Sequence, residues 1–211
     1  MIMIGPDAMR NGADVWLRRF LDLLGFGQFL LLPLVTCGIL LAWHHLSSQP
    51  WKFRKNVLIG MLIESMAFGF LLLLVAQTQH RLFHQWSLAV VICETTERPE
   101  SGLVAYLIGY FGAGIYEELL FRLMLIPIGI SMLRWAGVSN RASLITGIVV
   151  SSILFSAAHY DFITAGGEPF DLYSFVFRFL AGVFFALLFI YRGFGIAAGS
   201  HALYDIYAAL S

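Results

Sequence analysis

The chain has 211 residues, of which 59% are hydrophobic and only 12% are charged, and its mean hydropathy is +0.81. Soluble domains carry about 25% charged residues, so this composition excludes an ordinary soluble domain and indicates an integral membrane protein. The 13 basic and 13 acidic residues cancel, which gives no indication of a nucleic-acid partner, and the two cysteines suggest neither a disulfide framework nor a thiolate metal site.

Six apolar segments are predicted as membrane-spanning helices, because a span needs ~20 apolar residues. In chain order they cover about residues 23–43, 57–76, 103–133, 144–159, 172–191 and 194–210. Residues 82–94 are too short an apolar stretch to span and are predicted to be re-entrant or interfacial. In the last segment, Gly195 and Gly199 lie four residues apart, which predicts close approach by another helix. The fold class is therefore all-α, a polytopic transmembrane bundle of about six spans in a single integral membrane domain, residues 1–211.

Three ionisable residues, Glu117, Glu118 and Arg122, interrupt the third segment. On insertion scales such a residue costs roughly 2.5–3.5 kcal/mol at the bilayer centre, so it is rare unless it is paired and functional. Glu118 and Arg122 lie four residues apart and can pair on one helix face, whereas Glu117 points elsewhere without that partner and suits a general base. The alternative is that all three form an ion-pair network holding helices together. Pro127 follows them and is expected to kink the helix.

Two later segments carry further acid–base groups. Phe155 and His159 share a helix face, although a lone histidine at a helix end is more often an interfacial or hydrogen-bonded residue. His201 and Asp205 lie four residues apart, so the carboxylate can orient the imidazole, or the pair can be a hydrogen bond between packed helices. Glu64, in the second segment, has no motif around it and is predicted to lie outside the site.

Together these residues form three motifs in order, EExxxR, FxxxH and HxxxD, each on a predicted membrane helix. This set resembles the CPBP family, the type II CAAX-prenyl endopeptidases and bacteriocin-processing membrane proteins also called the ABI family. The resemblance covers about residues 103–211 and leaves residues 1–102 as the variable N-terminal spans. It implies that four core helices surround a membrane-embedded catalytic cavity.

The resemblance also implies a role for each motif residue. Glu117 is the base that activates water, assisted by His159, while His201 and Asp205 stabilise the oxyanion. Because the family accepts Asn or Asp at the last position and an ionised Asp would repel an oxyanion, Asp205 is expected to orient His201 or to be protonated. Glu118 and Arg122 support the site, and Phe155 packs behind it. No cofactor is expected, and zinc held by Glu, His, His and Asp is the minority hypothesis.

The sequence therefore predicts an intramembrane peptidase that cleaves a membrane-associated protein or peptide, by CAAX-type processing or by removal of a leader or sorting signal. Its expected location is the cell membrane, as a multi-pass protein of the bacterial inner membrane. One alternative is a non-proteolytic scaffold or a bacteriocin self-immunity protein with the same fold. Another is a proton-coupled transporter, which the short chain and the lack of an inverted repeat disfavour.

Overall fold

The computed structural model of the protein describes residues 31–48, 50–52, 54–86, 103–160 and 168–210. These residues form six helical segments, which confirms the all-α class for this part of the chain. The third segment is one continuous helix with a π-helical turn in its middle. The α-helical parts before and after that turn are labelled separately, as α3 and α4. The elements are α1 (Leu31–Leu46), α2 (Lys55–Trp86), α3 (Leu103–Glu118), a π-helical turn (Leu119–Leu125), α4 (Ile126–Trp135), α5 (Asn140–Ala157), α6 (Leu172–Arg192) and α7 (Phe194–Leu210).

Within the described part of the chain, three helices are long and apolar enough to cross a membrane. They are Lys55–Phe83, Asn140–Ala157 and Leu172–Arg192. This finding supports a multi-pass membrane protein, whereas the total of about six spans stays a prediction. Residues 23–30 of the first predicted span lie outside the described residues.

Residues 82–86, the start of the stretch predicted to be re-entrant or interfacial, continue α2 as regular helix. This end of α2 packs on the start of α6: the rings of Phe83 and Tyr173 lie 5.1 Å apart, and Gln79 Nε2 donates to the Tyr173 carbonyl at 3.2 Å. These contacts extend the helix beyond its most apolar part. Residues 87–94 lie outside the described residues.

The fourth predicted span is shifted toward the N-terminus. Helix α5 begins at Asn140 because Ser139 caps it, its Oγ accepting from the Ala142 N–H at 3.4 Å. The helix ends at Ala157, so His159 lies in the turn that follows rather than within the helix.

The glutamate-bearing segment is interrupted by the π-helical turn, not by a simple break. Pro127 has no N–H, so it cannot form the α-helical bond to the Leu123 carbonyl, and its ring disfavours regular helix in the preceding turn. Within the π-helical turn, the Phe121 carbonyl accepts from Ser151 Oγ of α5 at 2.6 Å. The irregularity predicted near Pro127 is therefore a π-helical turn, and a hydrogen bond from α5 stabilises it. Such turns are frequent at functional sites.

Helix α7 packs between α2 and α3, while α5 packs against α4 and α6. The predicted close approach at the two glycines of α7 is confirmed. A Cβ on Gly195 would lie 2.8 Å from Met61 Cε, and one on Gly199 would lie 2.7 Å from Ser65 Oγ, both on α2. The approach of α3 to α7 is as tight, because a Cβ on Gly114 would lie 2.6 Å from the Ala198 carbonyl oxygen. The α3–α7 contact lies one turn from the glutamates.

Gly114→Ala is expected to lower the thermal stability of the purified protein, because the new methyl group meets backbone that cannot move aside. Overpacking of this kind costs about 1–3 kcal/mol. Gly109→Ala is the matched control, since nothing lies within 4 Å of its Cβ position on the same helix. Thermal unfolding in detergent measures both variants, and equal melting temperatures would contradict the tight α3–α7 contact.

Candidate active site

The seven residues singled out in the sequence lie in one cluster near the middle of the bundle. Glu117 and Glu118 end α3, and Arg122 lies in the π-helical turn. Phe155 is on α5, with His159 in the turn after it, and α7 contributes the last two. In chain order the cluster is Glu117, Glu118, Arg122, Phe155, His159, His201 and Asp205.

A buried chain of charges joins two of the six helical segments, the glutamate-bearing segment and α7. Glu118 Oε1 lies 3.1 Å from Arg122 NH1 and 2.9 Å from His201 Nδ1, and the side chains of Glu118 and Arg122 have no exposed surface. The pairing of Glu118 with Arg122 predicted from their spacing is observed. Because a carboxylate accepts, the Nδ1 of His201 carries the hydrogen of this bond, and its Nε2 faces the rest of the cluster.

Aromatic rings and a carbonyl from α6 hold this charge chain in place. Arg122 NH2 donates to the Gly182 carbonyl at 3.2 Å, and its guanidinium carbon lies 4.2 Å from the centre of the Phe155 ring. The Phe185 ring stacks on His201 with 4.5 Å between centroids and 14° between planes. Gly182 and Phe185 were missed in the sequence, where they appeared as ordinary apolar helix residues.

Glu117 faces two imidazoles. Its Oε2 lies 3.6 Å from His201 Nε2 and 3.9 Å from His159 Nε2, and its side chain is only 3% exposed. His159 Nδ1 donates to the Phe155 carbonyl at 2.9 Å, because the carbonyl can only accept, and this leaves Nε2 directed at Glu117. At 3.9 Å, the Glu117 Oε2 and His159 Nε2 atoms are beyond direct hydrogen-bond distance but close enough to contact the same water molecule.

Asp205 does not form the hydrogen bond to His201 that their spacing of four residues favoured. Its Oδ2 lies 3.8 Å from His201 Nε2, which is beyond hydrogen-bond distance. The carboxylate that hydrogen-bonds His201 is instead Glu118, at the opposite ring nitrogen. Asp205 and His159 are also the more exposed members, at 22% and 25% of their side chains, so the cluster opens on their side.

Residues 99–207, just over half of the chain, match the family model described as type II CAAX prenyl endopeptidase Rce1-like. The chain belongs to this family. The matched range contains all seven cluster residues, and the family is the one that the three motifs indicated. Neither the curated proteins nor the solved structures give a match to the chain.

Glu64, the other intramembrane glutamate singled out in the sequence, lies outside the family's motif cluster. It forms an ion pair with Arg192 at the end of α6 and so ties α2 to α6. That Glu64 lies outside the site stays a prediction. Across the described residues, no group of three or more His, Cys, Asp and Glu side chains is arranged to hold a metal ion.

Proposed function

We propose that the chain is an intramembrane endopeptidase that hydrolyses a peptide bond of a membrane-associated protein or peptide. A CAAX-type sequence is the substrate class that its family suggests, and a leader or sorting signal is the broader class. The observation that carries the proposal is the buried Glu117 carboxylate facing two imidazole Nε2 atoms at 3.6 and 3.9 Å. Such a carboxylate can take a proton from a water, which peptide hydrolysis requires.

In the proposed first step, a water lies between Glu117 Oε2 and His159 Nε2. Glu117 takes one of its protons while His159 accepts a hydrogen bond from the other and so fixes its orientation. The hydrogen bond from His159 Nδ1 to the Phe155 carbonyl keeps the ring in the required tautomer. The oxygen then attacks the scissile carbonyl carbon, and a tetrahedral intermediate with a negatively charged oxygen forms.

In the second step, His201, protonated on both ring nitrogens, donates from Nε2 to that oxygen while Nδ1 donates to Glu118. Preorganised donors aimed at a developing oxyanion are usually the largest single contribution to catalysis of this kind. Glu118 holds the other ring nitrogen at 2.9 Å, and Phe185 stacks on the ring, so His201 is fixed before the substrate arrives. Asp205, in protonated form, supplies the second donor. Glu117 passes its proton to the leaving amine, and the bond breaks.

The proposal places the site at bilayer depth in a cell membrane, the inner membrane for a bacterial cell. The four core segments are α3–α4, α5, α6 and α7, and with α1 and α2 they make up the six spans. Helix α7 has 17 residues, which is at the short end of the range for a span. Substrate enters on the side where His159 and Asp205 are partly exposed.

The test is fragment release from a prenylated CAAX peptide by the purified protein in detergent, followed by mass spectrometry. We expect a single cut within the CAAX sequence, because one base and one oxyanion site act on one bond. The same reaction with a chelator separates the two chemical hypotheses. Glutamate-activated water predicts an unchanged rate, whereas a zinc site predicts loss of cleavage that added zinc restores.

A different outcome would support the scaffold alternative. If the intact peptide binds to the purified protein but no fragments form under any condition, the chain sequesters its partner and the endopeptidase proposal is wrong.

A further inference from the structure

Arg178 lies on the same face of α6 as the residues that contact the active site. Arg178, Gly182 and Phe185 follow the i, i+4, i+7 spacing of one helix face. The Gly182 carbonyl binds Arg122, and Phe185 stacks on His201. Four residues of helix correspond to ~6 Å along the axis, so Arg178 lies about one turn from the Arg122 contact.

Arg178 also borders the open side of the cluster. Its guanidinium carbon lies 5.4 Å from the ring centre of Tyr160, the residue after His159. Its charge also acts on the His159 imidazole. The guanidinium therefore lies beside the turn that holds His159, one of the two partly exposed residues of the cluster.

The two ends of the Arg178 guanidinium differ in their partners. NH2 donates to both carboxylate oxygens of Glu168, at 2.8 and 2.9 Å. NH1 is buried and donates to none of the residues that the structure describes. A buried donor without an acceptor costs free energy, and a carboxylate is the partner that a guanidinium binds best.

Arg122, the other cation of the site, cannot bind a carboxylate of the substrate. Arg122 is fully buried and is already bound by Glu118 and the Gly182 carbonyl. The cluster otherwise offers the Glu117 carboxylate, which would repel an anion. Among the described residues around this opening, Arg178 is the cation with an exposed part, 20% of its side chain, which an anionic group of a substrate can approach.

We propose that Arg178 binds the terminal carboxylate of the substrate through NH1, on the carboxyl side of the scissile bond. This inference rests on the endopeptidase function proposed above. A bond within a CAAX sequence lies at most three residues from the end of the chain, which is ~10 Å when extended. The offset of about one helical turn between Arg178 and the buried cluster fits within that length. Arg178 therefore selects substrates that end close to the cleavage site.

The test uses two prenylated CAAX peptides that differ only at the end, one with a free carboxylate and one with a carboxamide. We expect the wild-type protein to prefer the free acid in kcat/KM by about tenfold or more, the factor for one hydrogen bond to a charged group. Arg178→Gln should lose this preference, mainly through a higher KM for the acid. Arg178→Lys should retain part of it, because the charge remains without the planar fork.

Glu168→Gln is the matched control. It removes the ion pair but leaves the guanidinium, so the preference for the acid should persist. An equal loss of preference in Glu168→Gln and Arg178→Gln would mean that the ion pair merely positions the turn at His159, and it would overturn the inference. Equal cleavage of both peptides by the wild-type protein would overturn it as well, while the endopeptidase function stood. Cleavage of neither peptide would overturn both.

Discussion

Arg122→Ala is expected to lower the melting temperature of the purified protein strongly and to abolish peptide cleavage. The change removes the cation 3.1 Å from Glu118 and the donor to the Gly182 carbonyl, and neither the glutamate nor the arginine is exposed to solvent. Breaking a buried ion pair by removing one partner costs about 3–5 kcal/mol, because the other charge stays buried. Cleavage is lost because Glu118 no longer holds His201 in place. Thermal unfolding and fragment release on the same preparation measure the two effects.

Arg192→Ala is the control for this experiment. Arg192 also pairs with a glutamate, Glu64, but its side chain is 53% exposed at the end of α6. Exposed ion pairs contribute little to stability, so this variant should stay close to the wild-type melting temperature and should cleave peptide. An Arg122→Ala protein that is inactive yet as stable as wild type would contradict the structural role and would mean that Arg122 contacts substrate.

A double variant, Glu118→Gln with Arg122→Met, tests how much of the lost stability comes from the unpaired Glu118 charge and how much from the lost packing of the Arg122 side chain. Removing both charges together leaves no unpaired ion, so part of the lost stability should return. Cleavage should not return, because His201 still lacks its carboxylate partner.

The local features of the site could be predicted from sequence because they depend on helix geometry alone. The pairing of Glu118 with Arg122 follows from their spacing of four residues, and α7 has the bounds that its apolar pattern predicted, Phe194–Leu210. Polar residues in otherwise apolar helices indicated which side chains would come together. The three motifs indicated the family that the chain belongs to.

The rest depends on contacts between helices that no local pattern encodes. Spacing favoured Asp205 as the partner that orients His201. Instead, the close approach of α3 to α7 at Gly114 places Glu118 within hydrogen-bond distance of that imidazole. A carboxylate has lone pairs for both Arg122 and His201, so satisfying one partner did not exclude a second. The extension of α2 to Trp86 likewise depends on contacts with Tyr173 of α6, far away in sequence.

Glu117→Gln is expected to abolish cleavage while the protein still folds. Glutamine keeps the shape of the side chain but cannot take a proton from water, so the rate should fall by about 10³-fold or more. Folding should be preserved, because Glu117 stands 3.6 and 3.9 Å from its imidazole neighbours and forms no short hydrogen bond with either. Glu64→Gln is the matched control, since it changes another intramembrane glutamate that lies outside the cluster, and it should retain turnover.

The single-turnover rate of peptide cleavage by Glu117→Gln, measured beside wild type on preparations with matched melting temperatures, tests the catalytic role of Glu117 most directly. We predict no fragment above background from the Gln variant, although it still binds the intact peptide. Turnover by Glu117→Gln at more than a minor fraction of the wild-type rate would contradict the account, because the water would then be activated by another group.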